Sequence, residues 1–136
     1  MSESEAHQHL TGALVTWIAG TYLRGDDGSL LVDGPLAGLR GGPPMVGGFR
    51  PDVYLAPSQK NVLVIGEAET ARELERPHTT AQLGTFLEYC CCYRGSALVL
   101  AVPWYMTRCA KSLLRYLQER HRADSVTAIV LDKLEG

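Results

Sequence analysis

The sequence predicts an α/β domain in which a mixed sheet of about five strands is flanked by helices. Three observations carry this. Apolar residues recur at helical spacing in three stretches, 6–23, 78–93 and 107–121. Short aliphatic runs at 62–65, 96–102 and 125–131 read as strands, the first two of them buried. The C-terminal half alternates strand, helix, strand, helix, strand, which implies parallel neighbours joined by right-handed crossovers. At 136 residues the chain is expected to form one domain, 1–136, with its own core.

Composition narrows the class. Apolar residues make up 46% and charged residues 21% of the chain, which argues against disorder. No run of eighteen apolar residues occurs, so no membrane span is expected. The N-terminus, Met-Ser-Glu-Ser-Glu-Ala-His, lacks the basic start and apolar stretch of a signal peptide, so a cytoplasmic location is expected. Cys90, Cys91 and Cys92 are consecutive on a helical stretch and Cys109 lies on another. That spacing does not suit tetrahedral zinc, and the four are expected to be small packed residues in a reducing compartment. The net charge of −2 counts against a strongly basic nucleic-acid binder without excluding one. Arginine outnumbers lysine ten to three, and several arginines cluster between Arg108 and Arg122.

Taken in order, residues 6–23 form an amphipathic helix in which Leu10, Leu14, Ile18 and Tyr22 recur every fourth place, with Val15 beside them. Ser2 or Ser4 caps it, and Glu3 and Glu5 suit the positive end of its dipole. His7 and His9, two places apart on a helix, do not face each other and are expected in solvent. Residues 24–28 are a turn and 29–33 a short strand. The stretch 34–48 holds Pro35, Pro43, Pro44 and six glycines. It is either a connector or a segment reaching over a substrate.

Residues 49–70 read as two strands around a polar turn at 57–61. The first opens with Asp52 and the second ends in Glu67, Ala68 and Glu69. Adjacent strands lie about 5 Å apart, so Asp52 and Glu67 can share one divalent cation. Glu67 and Glu69 point the same way because strand side chains alternate. A Mg²⁺ site is the expectation.

The helix at 78–93 carries the stripe Leu83, Phe86, Leu87, Cys90. Pro77 with Thr79 or Thr80 marks its start, and Gly95 ends it. His78 stands at its beginning as a solvated or capping residue, or as a phosphate contact. The strand at 96–102 is closed by Pro103. Trp104 and Tyr105 follow, either anchoring the next helix or stacking on a base. That helix, 107–121, is expected to turn Cys109, Leu113, Tyr116 and Leu117 inward. The last strand is 125–131.

Pro51-Asp52, a strand, Glu67-Ala68-Glu69 and a helix containing Gln82 follow one another in the element order αβββαβαβ. This resembles the PD-(D/E)xK phosphodiesterase superfamily, the restriction-endonuclease-like nucleases, over residues 5–132. It is most similar to small bacterial or phage nuclease-like proteins whose second strand reads Gly-Glu-Ala-Lys-Thr, here Gly66-Glu67-Ala68-Glu69-Thr70. The resemblance implies a restriction-endonuclease-like three-layer core. It also implies a Mg²⁺-dependent DNA endonuclease in which Mn²⁺ substitutes. Asp52, Glu67 and the Ala68 carbonyl would hold the metal. Glu69 would be catalytic, and Gln82 would be the polar helix residue facing the site. Glu3 or Glu5 matches an acid that many relatives carry on the first helix, with Glu5 the candidate metal ligand. A two-fold homodimer cleaving both strands is a further expectation.

The departure lies at Glu69, where the family has lysine. A carboxylate cannot donate to a phosphate oxygen. It can accept a proton from water or bind a second cation. Arg72 and Lys60 are the candidates for a displaced base. Three functional readings follow: an active nuclease, a nuclease-like domain serving without catalysis as a nucleic-acid-binding or protein-assembly module, and a scaffold whose acids are incidental.

Overall fold

The structure, a computed structural model, describes residues 2–23, 30–37 and 41–131. The elements are α1 (Glu3–Tyr22), β1 (Leu30–Val32), β2 (Val53–Leu55), β3 (Val64–Ala68), α2 (Ala71–Leu74), α3 (Pro77–Cys90), β4 (Ala97–Ala101), α4 (Thr107–Arg120) and β5 (Thr127–Leu131). Single 3₁₀ turns sit at Gly34–Leu36 and Trp104–Met106. The five strands form one open sheet in the order β1-β2-β3-β4-β5. β2 is antiparallel to both of its neighbours, β1 and β3, and β3, β4 and β5 run parallel. The mixed five-strand α/β architecture agrees with the sequence. The one addition is α2, a single turn between β3 and α3. The turn expected at 24–28 lies outside the described residues.

Strand alternation assigns the two sheet faces. Leu63 and Ile65 face α3 and α4, packing with Phe86, Leu87, Leu98, Leu100 and Leu114. Val64 and Ala68 face α1, among Leu10, Leu14, Ile18, Val53 and Val99. The sheet is thus covered by helices on both sides. Gly66 allows α1 to lie close: a Cβ there would meet Ile18 Cδ1 and Leu14 Cδ2 at 2.9 Å each. The N-terminus of α1 is capped by Ser2, whose hydroxyl accepts from the Glu5 N–H at 3.1 Å. Among the described residues no helix is long and apolar enough to cross a membrane.

Three expectations about packing are corrected. In α4 the inward face is Ala110, Leu114 and Leu117 with Leu113 beside it, while Cys109 and Tyr116 are exposed. The stripe begins at the small Ala110, so its phase is set one place later than the cysteine suggests. Among the cysteines only Cys90 is buried. There burial pushes the thiol up to about 12. The end of the 34–48 stretch is not a free connector. Val46 and Phe49 exchange backbone hydrogen bonds of 2.7 and 3.1 Å around Gly47 and Gly48, both at positive φ. Val46 is buried, and Phe49 meets Phe86 edge to face, so this turn is fastened to α3.

Candidate functional site

The carboxylates gather where β3 ends. Asp52 immediately precedes β2. Continuing the β2–β3 register, in which Val53 faces Gly66, sets Asp52 against Glu67 and Pro51 against Ala68. Proline has no N–H to donate to the ladder, so side chains take over the pairing. The Asp52 N–H donates to Glu67 Oε1 at 3.0 Å, and the Ala68 N–H donates to Asp52 Oδ2 at 2.8 Å. The Ala68 carbonyl therefore faces a residue that cannot donate to it. On the other side the Glu69 N–H donates to the Ala101 carbonyl at 2.9 Å. This keeps the chain extended one residue further, so Glu67 and Glu69 emerge on the same face as Ile65.

α2 begins at once with a capping box. Thr70 Oγ1 accepts from the Glu73 N–H at 3.2 Å, and Glu73 Oε1 accepts from the Thr70 N–H at 2.8 Å. That arrangement swings the Glu73 carboxylate back over the strand end. α1 overhangs the same edge and inserts His7 between two acids. Its Nε2 lies 3.2 Å from Asp52 Oδ1 and its Nδ1 3.0 Å from Glu73 Oε1. The expectation that His7 is solvated is therefore corrected, while His9 is exposed. The signal was in the sequence: His7 stands three places before Leu10 and shares the buried face of α1 with Leu10 and Leu14. Glu73 was likewise announced by the pattern Thr70-x-x-Glu73.

Electrostatics follow from burial. Glu67 is only 2% exposed and Glu69 4%. Burial, reinforced by the charges of Asp52 and Glu69, holds the Glu67 pKa well above the usual carboxylate range. Burial and the charge of Glu73 raise Glu69 to about 8. Their effect on each other runs in opposite directions, raising Glu67 and lowering Glu69. Hydrogen bonds to Asp52 and then Glu73 raise His7 to about 10, against the opposing effect of burial. It is an imidazolium at neutral pH. For Glu73, burial acts upward, but the bonds from His7 and the Thr70 N–H outweigh it and lower the pKa.

These groups line a pocket of about 290 Å³. Asp52, Glu67 and Glu69 form one wall, and His7 and Glu73 a second. Arg76, His78, Thr79 and Gln82 close it from the start of α3. The structure thus brings together Asp52, Glu67, Glu69 and Gln82, with the Ala68 backbone bonded into the same cluster. Glu5 is not brought there: its side chain is exposed and only its N–H is engaged, by the cap. Glu3 does reach over the edge, accepting from the Thr70 hydroxyl at 3.2 Å and lying 3.5 Å from Arg76 Nη2. Arg72 is 77% exposed and pairs with Glu3 at 3.7 Å outside the pocket. Lys60 lies in the turn before β3, at the far end of that strand from Glu67. The base that lines the pocket is Arg76, a residue no motif spacing pointed to, because the corner between α2 and α3 places it.

Among the described residues no three His, Cys, Asp or Glu side chains are arranged to hold a metal ion. The donor chemistry nevertheless fits a hard divalent cation: two facing carboxylates and a strand carbonyl set opposite a proline are oxygen ligands of the kind Mg²⁺ prefers. His7 bonds to Asp52, and burial favours the protonated form of Glu67. Compared with protein-family models, with curated proteins and with solved structures, the chain shows no match.

Proposed function

We propose that this chain is a Mg²⁺-dependent phosphodiester hydrolase with a restriction-endonuclease-like core, a DNA endonuclease of PD-(D/E)xK type in which Glu69 replaces the motif lysine. The observation that carries it is the facing of Asp52 and Glu67 across the end of β3, with Glu67 buried and its pKa raised by that burial and by the charges of Asp52 and Glu69. Asp52, Glu67 and the Ala68 carbonyl would hold the metal. The ion, when bound, supplies a water of lowered pKa and offsets charge on the phosphate. The chain's own groups do the rest. Glu69, raised to about 8, accepts a proton from water, a role suited to a group titrating near working pH. Arg76 at the pocket mouth donates to a substrate phosphate, which meets the need left by the absent lysine. Gln82 and Thr79 offer neutral polar contacts. A cytoplasmic homodimer suits this reading.

One observation favours a second reading, a non-catalytic nucleic-acid-binding or assembly module: the His7 imidazolium already bridges Asp52 and Glu73. Titration calorimetry with Mg²⁺ and Mn²⁺, on the wild type and an Asp52→Ala, Glu67→Ala double variant, separates the two. The hydrolase reading expects binding in the wild type only, strengthening as pH rises, together with divalent-dependent cleavage of DNA. Absence of binding, and of cleavage across linear, single-stranded, branched and circular substrates, would leave the module. Glu69→Lys, which restores the family motif, is the informative third variant.

A further inference from the structure

A second concavity lies along the sheet edge that carries the carboxylates. β4 ends at Ala101, which pairs with Ala68 and whose carbonyl accepts from Glu69. Three residues later the chain turns outward through Trp104–Met106 and enters α4. Trp104 and Tyr105 are large apolar residues left 62% and 55% exposed. Their rings meet edge to face, with centroids 5.7 Å apart and planes at 89°, which leaves ring surface open to a third partner. They form one end of an open groove of about 610 Å³ whose other wall is Arg108, Lys111 and Arg115. Those three stand at i, i+3 and i+7, on one face of α4. At about 1.5 Å rise per residue they spread over roughly 10 Å.

The charge is concentrated here. Between Thr107 and Arg122 there are five basic residues and one acidic one, in a chain whose net charge is −2. The aromatic pair is not needed for the core: α4 is held by Ala110, Leu114 and Leu117 on its other side. Exposed aromatic rings beside a row of cations are the two halves of a single-strand binding surface, one stacking on unpaired bases and the other tracking phosphates. A duplex, whose bases are already stacked, would use only the second half.

We infer that the Trp104–Tyr105–Arg108–Lys111–Arg115 groove binds single-stranded nucleic acid and presents it to the carboxylate pocket on the same sheet edge. The inference rests on the phosphodiester reading of that pocket for its choice of occupant. The groove itself is tested without it.

Fluorescence anisotropy of labelled oligothymidylate and oligouridylate, in EDTA, measures the groove alone. Both strands bind to the wild type, and their comparison ranks DNA against RNA. Trp104→Ala weakens binding roughly ten-fold or more, as loss of one stacked base does, and Trp104→Phe restores most of it. Arg108→Gln, Lys111→Gln, Arg115→Gln together weaken binding and reduce the slope of log affinity against log salt by about 2. The inference is overturned if neither strand binds, or if both variants bind like the wild type. It is also overturned if a duplex binds more tightly and is indifferent to Trp104→Ala, or if the variants change only the sedimentation of the protein, which would make the face a contact between copies. Hydrolysis of bis(p-nitrophenyl) phosphate with Mn²⁺ reports the pocket separately. Groove-dependent binding without hydrolysis keeps this inference and removes the hydrolase reading; hydrolysis without groove-dependent binding does the reverse.

Discussion

His7 is the residue whose contribution can be worked out most fully. Its ring bridges Asp52 and Glu73, and those two bonds raise it from 6.5 to about 10. A histidine favoured as the cation in the folded state stabilises the fold fully below its unfolded value of 6.5. That stability is lost as pH rises from 6.5 through about 10. At about 1.4 kcal/mol per pH unit the ceiling is ~5 kcal/mol. The side chain keeps 29% of its surface open to water, and solvent screening brings the expectation down to about 2 kcal/mol. His7→Gln keeps a polar side chain and removes the charge. Urea denaturation of both proteins in EDTA, at several pH values from about 6 to about 10, gives the difference directly. It is expected to be about 2 kcal/mol near pH 6 and to shrink steadily towards pH 10. A difference that does not change with pH would mean that His7 acts through packing, and no difference near pH 6 would mean that the bridge is absent in solution.

Two further perturbations probe the scaffold and the carboxylates. Gly66→Ala puts a methyl group 2.9 Å from Leu14 and Ile18 side-chain carbons, and is expected to cost ~1–3 kcal/mol by overpacking; an unchanged urea midpoint would show that α1 does not lie that close. Glu67→Gln keeps an acceptor for the Asp52 N–H and a donor towards Glu69 while removing a buried acid whose raised pKa makes ionisation costly as pH climbs above 4.5. Near pH 8 it is expected to melt higher than the wild type, by on the order of 1 kcal/mol, and to lose divalent-cation binding, the usual trade of a functional site; a lower melting temperature at that pH would refute the argument.

The strands and helices were legible because their periodicities are strong. Leu10, Leu14 and Ile18 mark α1 without ambiguity, and the aliphatic run ending in Ile65 can only be a buried strand. Where the reading slipped, the competing signal was weaker than the one followed. In α4, Cys109 and Tyr116 look more apolar than Ala110, yet a small residue suits a close helix–sheet contact and a cysteine does not have to be buried. α2 is one turn long, too short for any period, and only its capping box betrays it. In the site, Asp52, Glu67 and Glu69 were read from their places at the strand ends, and Gln82 from the family resemblance. His7 and Arg76 were not, because they arrive from other elements. His7 depends on how far α1 overhangs the sheet, and Arg76 on the angle between α2 and α3.

The burial of the acids bears on whether they are incidental. Surface carboxylates at a strand end would stay in water, where an ionised group is cheapest. Here two glutamates are almost completely enclosed, and enclosing charge is costly unless it is paired. The pairing is incomplete. His7 supplies one positive charge against Asp52 and Glu73, and burial favours the neutral form of Glu67. Once Glu69 ionises, above about pH 8, the acids lining the pocket outnumber the one imidazolium that faces them. Arg76, paired with Glu3 at 3.5 Å, does not cancel them. That excess negative charge, carried by hard oxygens in a pocket that opens to solvent, is what a divalent cation would offset. A fold selected for stability alone would place leucine or glutamine at Glu67, and Glu67→Gln is the substitution by which that argument stands or falls.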